Sequence, residues 1–375
     1  MRVLVLGGTR FLGRALVDEA VRRGWEVTTF NRGVSAEDRV GVHAVHGDRS
    51  RRSDLARLSG FGPWDVVVDV AGVISAQVRD AAQVLQRVCD RYAFVSTVSV
   101  YRDWPAEPVD EQSPLHAGDP DAAPDSWTWG TGVYGPLKAG AETAVQREVG
   151  DGRWLIVRPG VILGRHEYSS RLTWWLQRIA AGGRVVAPGD PGRSIQPVDV
   201  RDVACFIWDQ AAVAVSGVFN LAAPGVRDRF KDLVDACVDV TGSDAVPLWV
   251  DDRVLIDAGI KQWTQIPLWR TAAGTWRVDS AKALKHGFQC RPLLETVADT
   301  WEWMCGGGVP YADPRAAQHG LSADVESKLL GFGRRSDLSV GFDRLGLGGK
   351  RTKSKILNPG SDLSYFARAL KLGSA

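Results

Sequence analysis

Three groups of residues in this 375-residue chain have types and spacings that could do chemistry. The first is Tyr134-Gly135-Pro136-Leu137-Lys138. On a helix, residues four apart share a face, so a phenol and an ammonium would stand side by side. A neighbouring cation favours the phenolate and draws a phenol down from its usual value of about 10. Tyr134 then suits proton exchange with a hydroxyl or carbonyl oxygen. The second group is Ser96-Thr97-Val98-Ser99-Val100-Tyr101, from which the Thr97 hydroxyl could hold the reacting oxygen, with Ser99 beside it. The third is Gly7-Gly8-Thr9-Arg10-Phe11-Leu12-Gly13. It follows an apolar run and precedes a helical stripe, which is the context a dinucleotide-binding turn requires.

In that turn Gly7 permits the tight bend and Gly13 permits close helix–sheet packing. Backbone N–H groups across Thr9, Phe11 and Leu12 would face a pyrophosphate at the helix start. The middle glycine of the usual fingerprint is replaced by Arg10. The second strand ends in Phe30-Asn31-Arg32-Gly33, with no carboxylate for a ribose 2′-hydroxyl. A guanidinium suits a 2′-phosphate, so Arg10 and Arg32, with Asn31 a further cofactor contact, predict NADP, with NAD admitted. Asp48 could accept from the adenine amino group or cap a helix. Ala71 and Gly72 are small enough for the cofactor's sugars to approach closely, and Lys138 is a further cofactor contact.

These groups need a scaffold. Strand-like runs over 3–6, 25–30, 42–46, 65–70, 92–96 and 154–158 alternate with helical stripes over 11–23, 54–58, 74–89 and 133–149. Such alternation implies parallel pairing and a sheet covered on both faces, an open, doubly wound α/β fold of Rossmann type. Helices over 172–181, 198–210, 230–240 and 282–285 and a strand over 218–221 follow. The expected division is a dinucleotide-binding domain over 1–165, rejoined by 195–225. A smaller substrate-binding part spans 166–194 and 226–330, and a basic, glycine-rich tail spans 331–375.

The segments 7–13, Asp48, 96–101 and 134–138, in this order, resemble a short-chain dehydrogenase/reductase. The resemblance is to its extended branch, the NAD-dependent epimerase/dehydratase family, and covers roughly residues 1–300. Arg158-Pro159-Gly160 with Gly164, residues 197–204 and residues 218–221 are similar to later blocks of that branch. The turn with its arginine resembles atypical members, among them plastid stem-loop RNA-binding relatives and bacterial reductase-like proteins. The resemblance implies that Thr97, Tyr134 and Lys138 are catalytic. It implies substrate contacts at Arg165, His166 and Arg193, and Trp129 is expected in the pocket wall. Val98 and Ser99 follow Thr97 where sugar-nucleotide dehydratases carry an acid/base pair, which disfavours dehydration. The expected activity is NADP-dependent oxidoreduction at a carbinol or ketone carbon. The alternatives are a nucleotide-sugar epimerase or dehydratase with retained cofactor, or a non-catalytic RNA-associated relative.

Composition narrows the partners. Net charge is +2, but residues 331–375 hold nine cations and three anions, so the rest of the chain is −4. Phosphate-backbone binding is therefore expected only through the tail. The five cysteines are dispersed and form no C-x-x-C pair, so reduced thiols, no metal site and a cytoplasmic location are expected. No run reaches the ~18 apolar residues of a membrane span. The expected partner is a small molecule, either a nucleotide-activated sugar or a secondary-metabolite ketone or alcohol, and a homodimer is admitted. Glu111, Asp119, Asp121 and Asp125 are expected to form a solvated flap.

Overall fold

A computed structural model describes residues 1–35, 37–124, 132–309 and 313–332. The first strand, β1 (Arg2–Leu6), alternates its side chains between two faces. Val3 and Val5 enter one core with Leu16 and Trp208, while Leu4 and Leu6 enter another with Leu85, Phe94 and Ile156. A strand buried on both faces reads as an unbroken apolar run, which is what the sequence shows.

Around β1 lie β2 (Glu26–Asn31), β3 (His43–His46), β4 (Trp64–Asp69), β5 (Cys89–Val95) and β6 (Trp154–Pro159). With the strand Gly217–Leu221 they form, among the described residues, a seven-stranded sheet. Its order is Gly217–Leu221, β6, β5, β4, β1, β2, β3, and every pairing is parallel. The doubly wound Rossmann-type fold read from the sequence is the fold observed. The chain reverses its direction of travel across the sheet between β1 and β4, so the crevice at their C-terminal ends is where such folds bind ligands.

Helices α1 (Phe11–Arg22), α2 (Arg52–Ser59), α3 (Ser75–Leu85), α4 (Tyr134–Val149), α5 (Arg171–Ala180), α6 (Val200–Ala212) and α7 (Phe230–Thr241) follow the expected order. The expected helix over 74–89 stops at Leu85, because Cys89 already opens β5 and the Val88 carbonyl accepts from Trp64 N. A further apolar core gathers Trp175 and Leu176 of α5, Phe230 and Leu233 of α7, Trp269 and Val297. Trp175 is fully buried, edge-on to Phe230, and its indole N–H donates to Pro267 O at 2.9 Å. The Trp174/Trp175 pair therefore belongs to packing.

The helices Leu293–Cys305 and Ala323–Phe332 escaped the sequence reading. The second carries chain past the composition change at Gly331 and buries Leu329. The expected acidic flap is instead tied down. Asp121 lies between Arg79 at 2.7 Å and Arg147 at 3.2 Å, and Glu111 accepts from Asn220 N at 2.9 Å. Asp125, Trp127, Trp129 and tail residues 333–375 lie outside the described residues. No described helix is long and apolar enough to cross a membrane.

Candidate functional site

The turn after β1 shows why glycine is needed there. Gly7 and Gly8 have φ of +116° and +101°, which side-chain-bearing residues rarely adopt. A Cβ on Gly13 would lie 2.7 Å from Gly8 N, so the first turn of α1 packs directly on the loop. Arg10, at the N-cap of α1, supplies no side-chain cap, and its guanidinium donates to Ser35 Oγ at 2.9 Å. The helix thus begins with main-chain N–H groups facing the crevice, the arrangement that receives a pyrophosphate. Phe11 starts the helix with φ of +34°.

At the end of β2, Asn31 Oδ1 accepts from Gly33 N at 2.7 Å, while its Nδ2 is buried without a partner. Arg32 is exposed beside it. Asp48 Oδ1 accepts from both Ser50 N and Ser50 Oγ at 2.8 Å, which holds its carboxyl below the usual range. It therefore caps a turn with that oxygen. Below Ala71 and Gly72, Arg49 grips the fully buried Asp69 in a fork at 2.8 and 2.7 Å. A Cβ on Gly72 would meet Val78 at 2.5 Å and Asp69 Oδ2 at 2.9 Å, so this wall of the crevice is main chain. These features accommodate a dinucleotide, and the donors at the end of β2 accommodate a phosphate.

The Thr97 side chain stands near enough to the Tyr134 phenol to act on it as a hydrogen-bonding group. Ser99 N donates back to Thr97 Oγ1 at 3.1 Å, which fixes that hydroxyl at the end of β5. Helix α4 comes close because Gly135 carries no side chain. A Cβ there would sit 2.3 Å from Ser99 O. The azimuth of α4 is set by a buried network. Arg158 at the end of β6 forks onto Glu142 at 2.9 and 2.5 Å and donates to Tyr101 Oη at 2.9 Å. Tyr101 in turn donates to Asn220 at 2.6 Å. Glu142 lies one turn beyond Lys138, so the same face carries Tyr134 and Lys138 to the crevice.

Lys138 does something other than the sequence spacing suggested. It is 3% exposed, donates to Gly72 O at 2.7 Å and Val95 O at 2.5 Å, and lies 4.1 Å from the Phe94 ring centroid. Burial pushes it down to about 7. Its ammonium clamps the ends of β4 and β5 together. The phenol of Tyr134 is raised by burial, not lowered. Thr97 and the Arg315 charge oppose that rise, and neighbouring Tyr168 adds to it.

The three expected substrate contacts are not brought together as free donors. Arg165 forks onto Asp299, which also accepts from Arg201 at 2.8 Å, and Arg193 pairs with Asp252. His166 packs its ring 4.7 Å from Trp303, and burial pushes it down to about 4. Carboxylates within reach in the fold, invisible in the linear sequence, took up both arginines.

A different arginine remains. Arg270 lies over Trp263 at 4.7 Å and Trp104 at 5.7 Å, and among the described residues no carboxylate pairs with it. Burial, with Arg171 nearby, pushes its guanidinium down to about 10. Arg171 lies over the same Trp263 ring at 5.4 Å, and the Trp276 ring centroid is 6.2 Å from it. The indole N–H groups of Trp104 and Trp276 are buried without partners. Arg171 is itself paired with the buried Glu167 at 2.6 Å, so the slot offers one cation without a carboxylate, Arg270, and two spare donors, which suit an anion. The signal available in sequence was Trp104 three residues after the 96–101 block, together with the surplus of tryptophan.

The sequence profile of the NAD dependent epimerase/dehydratase family matches residues 3–222. An Arabidopsis thaliana protein, chloroplast stem-loop binding protein of 41 kDa b, is 25% identical over 257 residues, 64% of this chain and 63% of its own length. Among solved structures, the Bordetella bronchiseptica enzyme WbmG in complex with NAD aligns with a TM-score of 0.61 at 18% identity, covering 86% of this chain and 98% of that one. UDP-glucose 4-epimerase from Thermotoga maritima with UDP-glucose aligns at 0.59 and 18%, covering 82% and 99%. These structural likenesses speak for the shared fold. With more than half of its length matched, the chain belongs to the NAD dependent epimerase/dehydratase family.

Proposed function

We propose that this protein is an NADP-dependent oxidoreductase acting at a carbinol or ketone carbon, with Tyr134 as its general acid/base. The observation that carries this reading is the close approach of α4, at Gly135, to Ser99, which brings the Tyr134 phenol near the Thr97 hydroxyl that Ser99 N fixes at 3.1 Å. Thr97 holds the substrate oxygen, and Tyr134 gives that oxygen its proton or removes it. A phenol kept protonated by burial is in the state that donates to a substrate oxygen. Lys138 keeps Gly72 and Val95 in place beneath the reacting groups.

Gly7, Thr9, Phe11, Leu12 and Gly13 would hold the cofactor's pyrophosphate. Arg10, Asn31 and Arg32 would hold the 2′-phosphate, and Ala71 and Gly72 would lie against the sugars. Bound there, the nicotinamide supplies the hydride acceptor or donor. The orphan Asn31 Nδ2 and the absence of a carboxylate at the end of β2 support the phosphorylated cofactor.

A second reading, epimerisation of a nucleotide-activated sugar, is favoured by the Arg270 slot, whose charge suits a diphosphate. One experiment separates the two. The full-length protein is incubated with cofactor and a panel of ketones, alcohols and nucleotide-activated sugars. Nicotinamide absorbance and product stereochemistry are followed together. Net absorbance change supports oxidoreduction, and a stereochemical change without it supports epimerisation. No conversion of any panel member, with Tyr134→Phe indistinguishable from the parent, would remove both.

A further inference from the structure

The segment after the helix Leu293–Cys305 lies outside the 3–222 region that defines the family, yet it returns to the cofactor crevice. Arg315 is partly buried, with its guanidinium 4.9 Å from the Tyr168 ring centroid. Tyr168 in turn stands edge-on to Phe11, with centroids 5.9 Å apart and planes at 87°. Phe11 is the first residue of α1, where the free N–H groups of the dinucleotide turn begin. On the other side, both Tyr168 and Arg315 act on the phenol of Tyr134. Arg315 therefore lies between the pyrophosphate end of the crevice and its reacting end.

The placement is rigidly built. Asp313 takes the Nε–Nη2 edge of Arg315 at 2.8 Å for each bond, and its Oδ1 also accepts from Arg315 N at 2.9 Å. Asp313 also feels the charge of Arg10 on the opposite lip of the crevice. Arg10, Asp313 and Arg315 together carry one net positive charge. Further along, Gly320 N donates to Thr264 O at 3.3 Å, and a Cβ on Gly320 would strike the Trp174 indole at 2.5 Å. The helix Ala323–Phe332 then fastens the strap. Glu326 accepts from Arg178 at 3.1 and 3.0 Å, and Leu330 O accepts from Arg184 at 3.0 Å.

We infer that residues 313–320 form a strap across the cofactor crevice in which Arg315 binds the pyrophosphate of the dinucleotide opposite the N-terminus of α1. Asp313 occupies the Nε–Nη2 edge of the guanidinium, so Arg315 offers a diphosphate its permanent charge, held in place by Asp313 and the Tyr168 ring, and not a bidentate fork. The turn of α1 and the strap would then hold the same group from two sides. Arg315 is a cofactor-binding residue outside the family's signature segments. This inference rests on the cofactor-binding reading of the crevice.

The test is fluorescence titration of the full chain with NADPH, beside titration with adenosine 2′-phosphate, which lacks the pyrophosphate. Arg315→Gln should weaken NADPH about tenfold or more, since a charge-assisted contact is lost. Arg315→Lys should recover part of it, and adenosine 2′-phosphate should bind all three proteins equally. Unchanged NADPH affinity in Arg315→Gln would overturn the inference. So would equal loss of both ligands, because Arg315 would then merely support the fold. A parent protein that binds neither NADPH nor NADH would instead overturn the cofactor reading itself.

Discussion

Two buried cations mark the two halves of this molecule, and they are held in opposite ways. Lys138, in the sheet half, gives its hydrogen bonds to two main-chain carbonyls. Arg270, in the C-terminal half, sits against the faces of Trp104 and Trp263. Both are pushed down by burial, to about 7 and about 10. A cation satisfied by carbonyls has its donors committed and serves the scaffold. A cation satisfied by ring faces keeps its donor edges for a ligand. Proximity to the site is thus a poorer guide to role than the chemistry of what satisfies the charge.

The contrast can be broken at four places. The largest effect is expected between the two halves, at the proton-exchanging group. Tyr134→Phe should lower turnover by about 10²–10⁴-fold on whichever substrate the panel identifies, while NADPH affinity stays at the parent value. Retention of full turnover would remove Tyr134 from the chemistry.

Arg270→Met tests the C-terminal half. Removing an anion contact should weaken UDP binding by about ten- to a hundredfold in calorimetric titration. Thermal stability should hold or rise, because an apolar side chain of similar volume avoids the cost of burying the charge. A destabilised variant with unchanged UDP affinity would make Arg270 a scaffold cation like Lys138.

Lys138 should show itself in the pH dependence of stability. Its folded value, about 7, lies below the ordinary 10.5. Between these values the unfolded chain holds the extra proton, so stability contributed through this group rises with pH across that window. The slope should be on the order of 1 kcal/mol per pH unit, measured by denaturant unfolding of the parent against Lys138→Met. Identical slopes would contradict the buried, charge-disfavoured ammonium. The smallest effect is expected at the rim: Arg32→Asp should shift the NADPH-to-NADH affinity ratio by about tenfold towards NADH.

The same contrast explains what was legible in the sequence. The glycine turn, the doubly wound parallel sheet and the approach of Thr97 to Tyr134 depend on local pattern and on the topology that pattern implies. Val3–Leu6 could hardly be anything but a doubly buried strand, and Gly13 must sit where a Cβ has no room. Pairings across long sequence separations were not legible. Asp299 is 134 residues from Arg165 and Asp252 is 59 from Arg193, so nothing local announced that both cations were already paired. The rings around Arg270 come from Trp104 and Trp263, far apart in the chain, and only their abundance hinted at a slot. Lys138 has the right spacing from Tyr134, but spacing cannot say that two carbonyls stand closer.

The crevice at the ends of β1 and β4 is proposed to take a phosphorylated nicotinamide dinucleotide. Fluorescence titration of the full chain with NADPH and NADH tests it most directly. Saturable binding of both is expected, with NADPH tighter by about tenfold or more through guanidinium contacts at its 2′-phosphate. Equal affinities would contradict the roles of Arg10 and Arg32, and binding of neither would contradict the proposal itself.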